Sequence, residues 1–137
     1  MKHRIVASAV IEDGDRLLFG KRTAGKGPYP DTFHLLGGGI DLEKETVEEG
    51  LRREIREEAG IELVELQQLF FDEDIEPNKQ QERTRYLFLV FRARAKGTPR
   101  AGDDIKELHW FSKKELAAVS LARPTVKLFK RMGYLSV

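Results

Sequence analysis

The chain contains no cysteine, a single tryptophan and no apolar run near the roughly 20 residues that span a bilayer. Each absence removes a class of protein. Without cysteine there are no disulfides and no thiolate metal sites, and a reducing cytoplasm is the expected location. The opening MKHRIVASAVIEDG has too short an apolar stretch, ended by acids, to act as a signal segment. Charge of one sign is missing too. The 24 lysines and arginines nearly cancel the 23 acids, leaving +1, which argues against nucleic acid or an anionic membrane as partner. What remains is 137 residues, 40% hydrophobic and 34% charged, the size and balance of one globular domain spanning 1–137.

Patterning along the chain predicts strands interleaved with helices. Residues 5–11 are apolar and β-branched, Asp13-Gly14 signals a hairpin, and 16–19 resume as a strand. TAGKGPYP, residues 23–30, has loop composition. Residues 33–36 form a short strand running into Gly37-Gly38-Gly39. Thr46 with Glu49 three residues on makes a capping box, so a helix spans about 47–59 and stops at Gly60. Strands follow over 61–71 and 84–95, separated by the polar loop DEDIEPNKQQE. A strand near 108–111 leads to Ser112 and Glu115, a second capping box. Pro124 starts a last helix that ends near Gly133. The fold class is α/β, a mixed sheet between helices.

The helix at 47–59 carries the chemistry. On a wheel with Glu54 at zero, Glu58 falls near +40° and Glu57 near −60°. Val47, Leu51 and Ile55 lie at about +20°, +60° and +100°, so Glu58 shares the angles of the buried stripe. A buried carboxylate is costly unless cations or donors meet it. Three carboxylates on one arc suit a hard divalent cation, whereas an ordinary charged helix would pair Arg53 with Glu57 and Glu49.

The full spacing decides between these readings. From Gly39 the chain reads GIDLEKETVEEGLRREIREEAGI, with Gly39, Glu45, Arg53, Glu54, Ile55, Glu57, Glu58, Gly60 and Ile61 at fixed intervals. This resembles the signature of the Nudix hydrolase family at every fixed position, a coincidence of about 10⁻⁷ per start for seven letters at average usage. The resemblance implies a Nudix-type α/β/α sandwich with the catalytic helix at about 47–59. It implies Mg²⁺, with Mn²⁺ as substitute, on Glu54, Glu57, Glu58 and the Gly38 carbonyl. Glu54 would activate water, Arg53 and Glu45 would orient the ligands, and Asp104, with Asp103 beside it, would add an acid from a late loop.

By the same resemblance Arg22 would reach substrate phosphate. Gly38 and Gly39 would approach the substrate closely. Phe33 and Tyr29, as aromatics, are candidates to stack on a base, the alternative being a core role beside a strand. Lys26 is a further phosphate candidate, and Arg4, Phe71, Glu73 and Arg83 are candidates for shaping the pocket. His34 beside the glycines is read as a core or surface residue. Departures from the family pattern are Leu36, Lys44 and Gly50, the last costing the helix about 1 kcal/mol unless it makes room for a neighbour. The implied activity is cleavage of a diphosphate bond in nucleoside di- or triphosphate derivatives, by a monomer or homodimer acting on a small-molecule nucleotide. The alternative is a non-catalytic nucleotide-binding module. An isoprenoid diphosphate isomerase, a related fold, would need cysteine chemistry that this chain lacks.

Overall fold

The computed structural model describes residues 1–22 and 31–136. Lys26 and Tyr29 lie outside the described residues. The elements run β1 (Lys2–Asp13), β2 (Arg16–Arg22), β3 (Leu36–Gly39), α1 (Val47–Ala59), β4 (Glu62–Pro77), β5 (Arg83–Lys96), β6 (Ile105–Ser112), a 3-10 turn (Lys113–Ala118) and α2 (Arg123–Met132). The sheet order is β4-β5-β1-β2-β6, with β3 also pairing β1. β1 and β5 are parallel and the other pairs antiparallel, so the sheet is mixed.

Alternation along the strands divides the core into two layers. Ala7, Ala9 and Ile11 of β1, with Phe91 and Ala93 of β5, face Leu51, Ile55 and Ala59 of α1. Val10, Leu17, Phe19 and Val90 face the opposite way, onto Leu116 of the 3-10 turn and Leu128 and Phe129 of α2. The result is the helix–sheet–helix arrangement read from the sequence.

Both α-helices stop where a glycine takes the left-handed conformation, Gly60 at φ 66° and Gly133 at φ 81°. Thr46 accepts from the Glu49 amide while Glu49 accepts from the Thr46 amide, the expected capping box.

Two expectations are corrected. The stretch read as a polar loop, residues 72–82, is mostly strand: β4 pairs with β5 down to Pro77↔Arg83. Its acids obey period two, which composition alone hid. Asp72, Asp74 and Glu76 are half-buried, and they meet Lys127 and Arg123 of α2 while the residues between them point away. The strand expected at 33–36 is displaced onto the glycines themselves, with Phe33 and His34 making only isolated bridges to Leu121 and Gly20.

β4 is an edge strand, and α2 closes over part of it. Lys127 Nζ donates to the Glu73 carbonyl at 2.9 Å and Arg131 Nη1 to the Phe71 carbonyl at 2.9 Å. Phe71 and Ile75, on the other side of the strand, remain exposed.

Candidate active site

Three consecutive glycines set the geometry. β3 pairs with β1 through Val6↔Gly39, Ala7↔Gly38 and Ser8↔Gly37. Gly37 takes φ 147°, and a Cβ there would strike the Ala7 carbonyl at 2.0 Å. At Gly38 a Cβ would lie 2.4 Å from Glu54 Oε2, and at Gly39 2.4 Å from an Arg4 guanidinium nitrogen. Glycine at these positions lets the acids of α1 and the Arg4 side chain lie directly against the strand backbone. The Gly37 N–H donates to Glu58 Oε1 at 2.9 Å, tying α1 to β3.

Glu58 is 2% exposed, as its position on the helical wheel predicted. Burial, with Glu54 and Asp104 nearby, pushes its carboxyl up to about 8, although the Gly37 amide and Arg22 favour the anion. Burial also raises Glu54 above the ordinary carboxylate range, reinforced by Glu57 and Asp103 and opposed by Arg53.

Arg53 serves the outer side of this cluster. Its Nε and Nη2 grip both oxygens of Glu45 at 2.9 Å, while Nη1 reaches Glu54 Oε1 at 3.1 Å and Glu57 Oε2 at 3.2 Å. The Arg53 fork holds the Glu45 carboxyl down at about 2, helped by the Asp41 amide. Gly50 makes this possible: a Cβ there would come within 2.6 Å of Ile40 and 2.8 Å of Glu45 Oε2. The room it leaves is filled by those two side chains.

Arg22 serves the inner side. It lies 3.6 Å from Glu58 Oε2 and 3.6 Å from Asp104 Oδ2, and its Nη1 is 3.0 Å from His34 Nε2. His34 Nδ1 is 2.7 Å from the Leu35 carbonyl, which can only accept, so Nδ1 carries the proton. A guanidinium can only donate, so Nε2 is the acceptor and the imidazole is neutral. Burial and Arg22 accordingly lower the His34 pKa to about 4.

These groups open onto a cavity of about 580 Å³, the size of a small-ligand site. Glu54, Glu58, Gly38, Gly39, Arg22 and Asp104 line it, together with Asp103. Glu57 is not among the lining residues and turns its carboxylate to Arg53. Phe33 is not among them either: it packs edge-on against Phe111 at 5.0 Å, with Lys21 over its ring at 5.5 Å. Among the described residues, the Phe, Tyr and Trp rings that line the cavity are Tyr86 and Phe88, with centroids 6.1 Å apart and planes at 23°. The alternation of Tyr86, Phe88 and Val90 along β5 was the available sequence signal for them. Arg4 and His34 are also lining residues.

As the side chains are placed, no three acids or histidines among the described residues are close enough to hold one ion. The donor set nonetheless fits a hard divalent cation. It consists of carboxylate and carbonyl oxygens, two of the carboxyls raised mainly by burial and further by neighbouring acids, beside a glycine whose missing Cβ leaves Glu54 room.

The family follows from a comparison that covers nearly the whole chain. The NUDIX domain profile matches residues 1–132, and the chain belongs to that family as a Nudix hydrolase. Among individual relatives, nucleoside triphosphatase NudI from Enterobacter sp. (strain 638) is 28% identical over 142 aligned positions, covering 98% of this chain and 100% of that protein. NudI from Escherichia coli O139:H28 is likewise 28% identical over the same spans. Among solved structures, a MutT NUDIX hydrolase from Burkholderia pseudomallei superposes with a TM-score of 0.81 at 28% identity, covering 95% of this chain and 98% of that one. The NUDIX domain of Shewanella oneidensis NrtR, solved with ADP ribose, superposes at 0.77 with 15% identity over 96% of this chain and 87% of that one, a likeness of fold alone. No helix among the described residues is long and apolar enough to cross a membrane.

Proposed function

We propose that the protein is a divalent-metal-dependent hydrolase of nucleotides, cutting a phosphoanhydride bond in nucleoside di- or triphosphate derivatives. The observation that carries this reading is the convergence of Glu54, Glu58 and the glycine strand on one nucleotide-sized cavity. The names of the NudI relatives, nucleoside triphosphatases, favour triphosphates within that class. Glu54, Glu57, Glu58 and the Gly38 carbonyl are the groups that would hold Mg²⁺ or Mn²⁺. The bound ion would neutralise charge on the phosphate oxygens and acidify a water.

Glu54 would take the proton of the attacking water, a role supported by its position on the cavity wall against the glycine strand. Oxygen of that water bonds to phosphorus as the bridging P–O bond breaks. A triphosphate gives nucleoside monophosphate and pyrophosphate. Glu45 and Arg53 fix the carboxylate of Glu54, and Asp104 adds negative charge beside Glu58, across Arg22. Tyr86 and Phe88 offer a flat surface for the base. The setting we propose is a cytoplasmic one.

The test is a panel of nucleoside triphosphates, dinucleoside polyphosphates and nucleoside diphosphate conjugates, read by phosphate and pyrophosphate release with Mg²⁺ and with EDTA. Wild type should turn over at least one of them only with the metal. Glu54→Gln and Glu57→Gln should each lose about 100-fold or more, since each removes negative charge that holds the cation. Rates within about threefold of wild type in both variants would refute the assignment.

A further inference from the structure

Arg22 stands in the carboxylate cluster rather than reaching out of it. Its side chain is only 27% exposed, and it lies against Glu58 and Asp104 with the third side of the guanidinium on His34. The oxygen it approaches is decisive. Glu58 Oε1 is committed to the Gly37 amide, so Oε2 is the Glu58 oxygen left to bind a cation, and Oε2 is the one that faces Arg22. A divalent ion and the guanidinium therefore have the same partner to gain.

His34 fixes the arginine in that place. The backbone carbonyl of Leu35 orients the imidazole and puts its proton on Nδ1, which leaves the Nε2 lone pair aimed at Arg22. A buried neutral histidine with one nitrogen spent on its own chain has no proton to give to a substrate, so its polar function is to receive this bond.

We infer that His34 is a positioning residue that parks Arg22 in the carboxylate cluster, so that Arg22 and a divalent cation compete for Glu58 and Asp104. The inference rests on the metal reading above. Cation binding at Glu58 Oε2 would expel the guanidinium from its contact with Glu58 and break its bond to His34. The freed arginine, at the end of β2 and on the cavity wall, would then be available to a phosphate. Metal would in this way prepare the phosphate site, and ligand binding would be ordered, cation first.

The experiment measures Mg²⁺ binding by calorimetry without nucleotide, on wild type, His34→Leu and Arg22→Lys. Both substitutions keep the formal charge of the site at pH 7.5, because His34 is neutral there and lysine keeps the cation. General electrostatics therefore predicts unchanged affinity. Release of a parked arginine predicts tighter Mg²⁺ binding by about fivefold or more, the usual lower range of a coupling between two ligands. A second readout needs no variant: the ¹⁵N resonance of His34 Nε2 in wild type should move on Mg²⁺ saturation as its donor leaves. Mg²⁺ binding with an unmoved His34 resonance would overturn this inference alone. No Mg²⁺ binding by wild type would overturn the metal reading and this one with it. Unchanged affinity in both variants would also overturn it, and should His34→Leu not fold, Arg22→Lys and the wild-type resonance still decide.

Discussion

Arg53 and Arg22 stand on opposite sides of the same carboxylates, and they are held there by different means. Arg53 sits on α1, and its carboxylate partners come from its own helix and the loop before it, within eight residues in sequence, with the Gly39 carbonyl of β3 a longer contact at 3.5 Å. Its side chain is 38% exposed. Arg22 comes from β2, and its partners His34, Glu58 and Asp104 come from the approach to β3, from α1 and from the loop before β6. The outer half is a local motif that folds with its helix. The inner half exists only when the sheet is complete. An orienting group can thus be carried on the catalytic helix, while a group that must be displaced is better placed on a different element.

The comparison can be broken first at Arg53. Arg53→Ala removes the fork that holds Glu45, Glu54 and Glu57 and should lower activity by about 10- to 100-fold, the usual cost of losing a group that orients metal ligands. If the two halves are separate devices, Arg53→Ala should leave the His34–Arg22 contact intact. The double variant with His34→Leu would then show Mg²⁺-affinity changes that add. A strongly non-additive pair would merge the halves into one network.

A second measurement sharpens the inner half through pH. The Glu58 carboxyl rises from an ordinary 4.5 to about 8 on folding, so the folded protein holds a proton that the unfolded chain releases. Its contribution to stability is therefore lost as pH climbs from about 4.5 to 8. His34 has the opposite sign. Lowered from 6.5 to about 4, it favours the folded state above 6.5 and costs stability as pH falls toward 4. Between these two groups, only Glu58 changes from pH 6.5 to 8. The melting temperature of EDTA-treated protein should fall across that window, and Mg²⁺ or Glu58→Gln should flatten the slope. A metal-free protein equally stable at 6.5 and 8 would mean that Glu58 is ionised throughout.

The smallest effect is expected in the outer half, at Gly50. Alanine there gains about 1 kcal/mol of helix propensity. Its Cβ must push Ile40 and Glu45 aside, so Gly50→Ala should show none of that gain in urea unfolding. A clear stabilisation would show that Ile40 and Glu45 yield freely.

The outer half was legible in the sequence because its spacings are helical and short. Glu45, Arg53, Glu54 and Glu57 are related through one helix and its capping loop, and Glu58 was marked as buried by its angle to Leu51. The inner half was only partly legible. Arg22 and Asp104 were named as site residues, but their meeting at Glu58 depends on the register of β2 with β6, Arg22↔Ile105, which no local pattern encodes. His34 reads from sequence as a core or surface residue, because its bond to Arg22 depends on the isolated bridge between Gly20 and His34, which no local pattern encodes. Phe33 reads as an aromatic that could stack on a base, yet it packs edge-on against Phe111 instead. The β4 extension was missed for a related reason. Alternating acids look like a solvated loop until a basic helix is known to lie across them.

That basic helix has one more consequence. β4 is sixteen residues long and ends the sheet. Lys127 and Arg131 occupy two of its carbonyls, and a strand so engaged is a poor template for another chain. The last helix thus acts as an insulator. Charge reversal at Lys127 and Arg131 together would expose a raw seam beside Phe71 and Ile75. The cost would appear as self-association on storage, before any loss of catalysis.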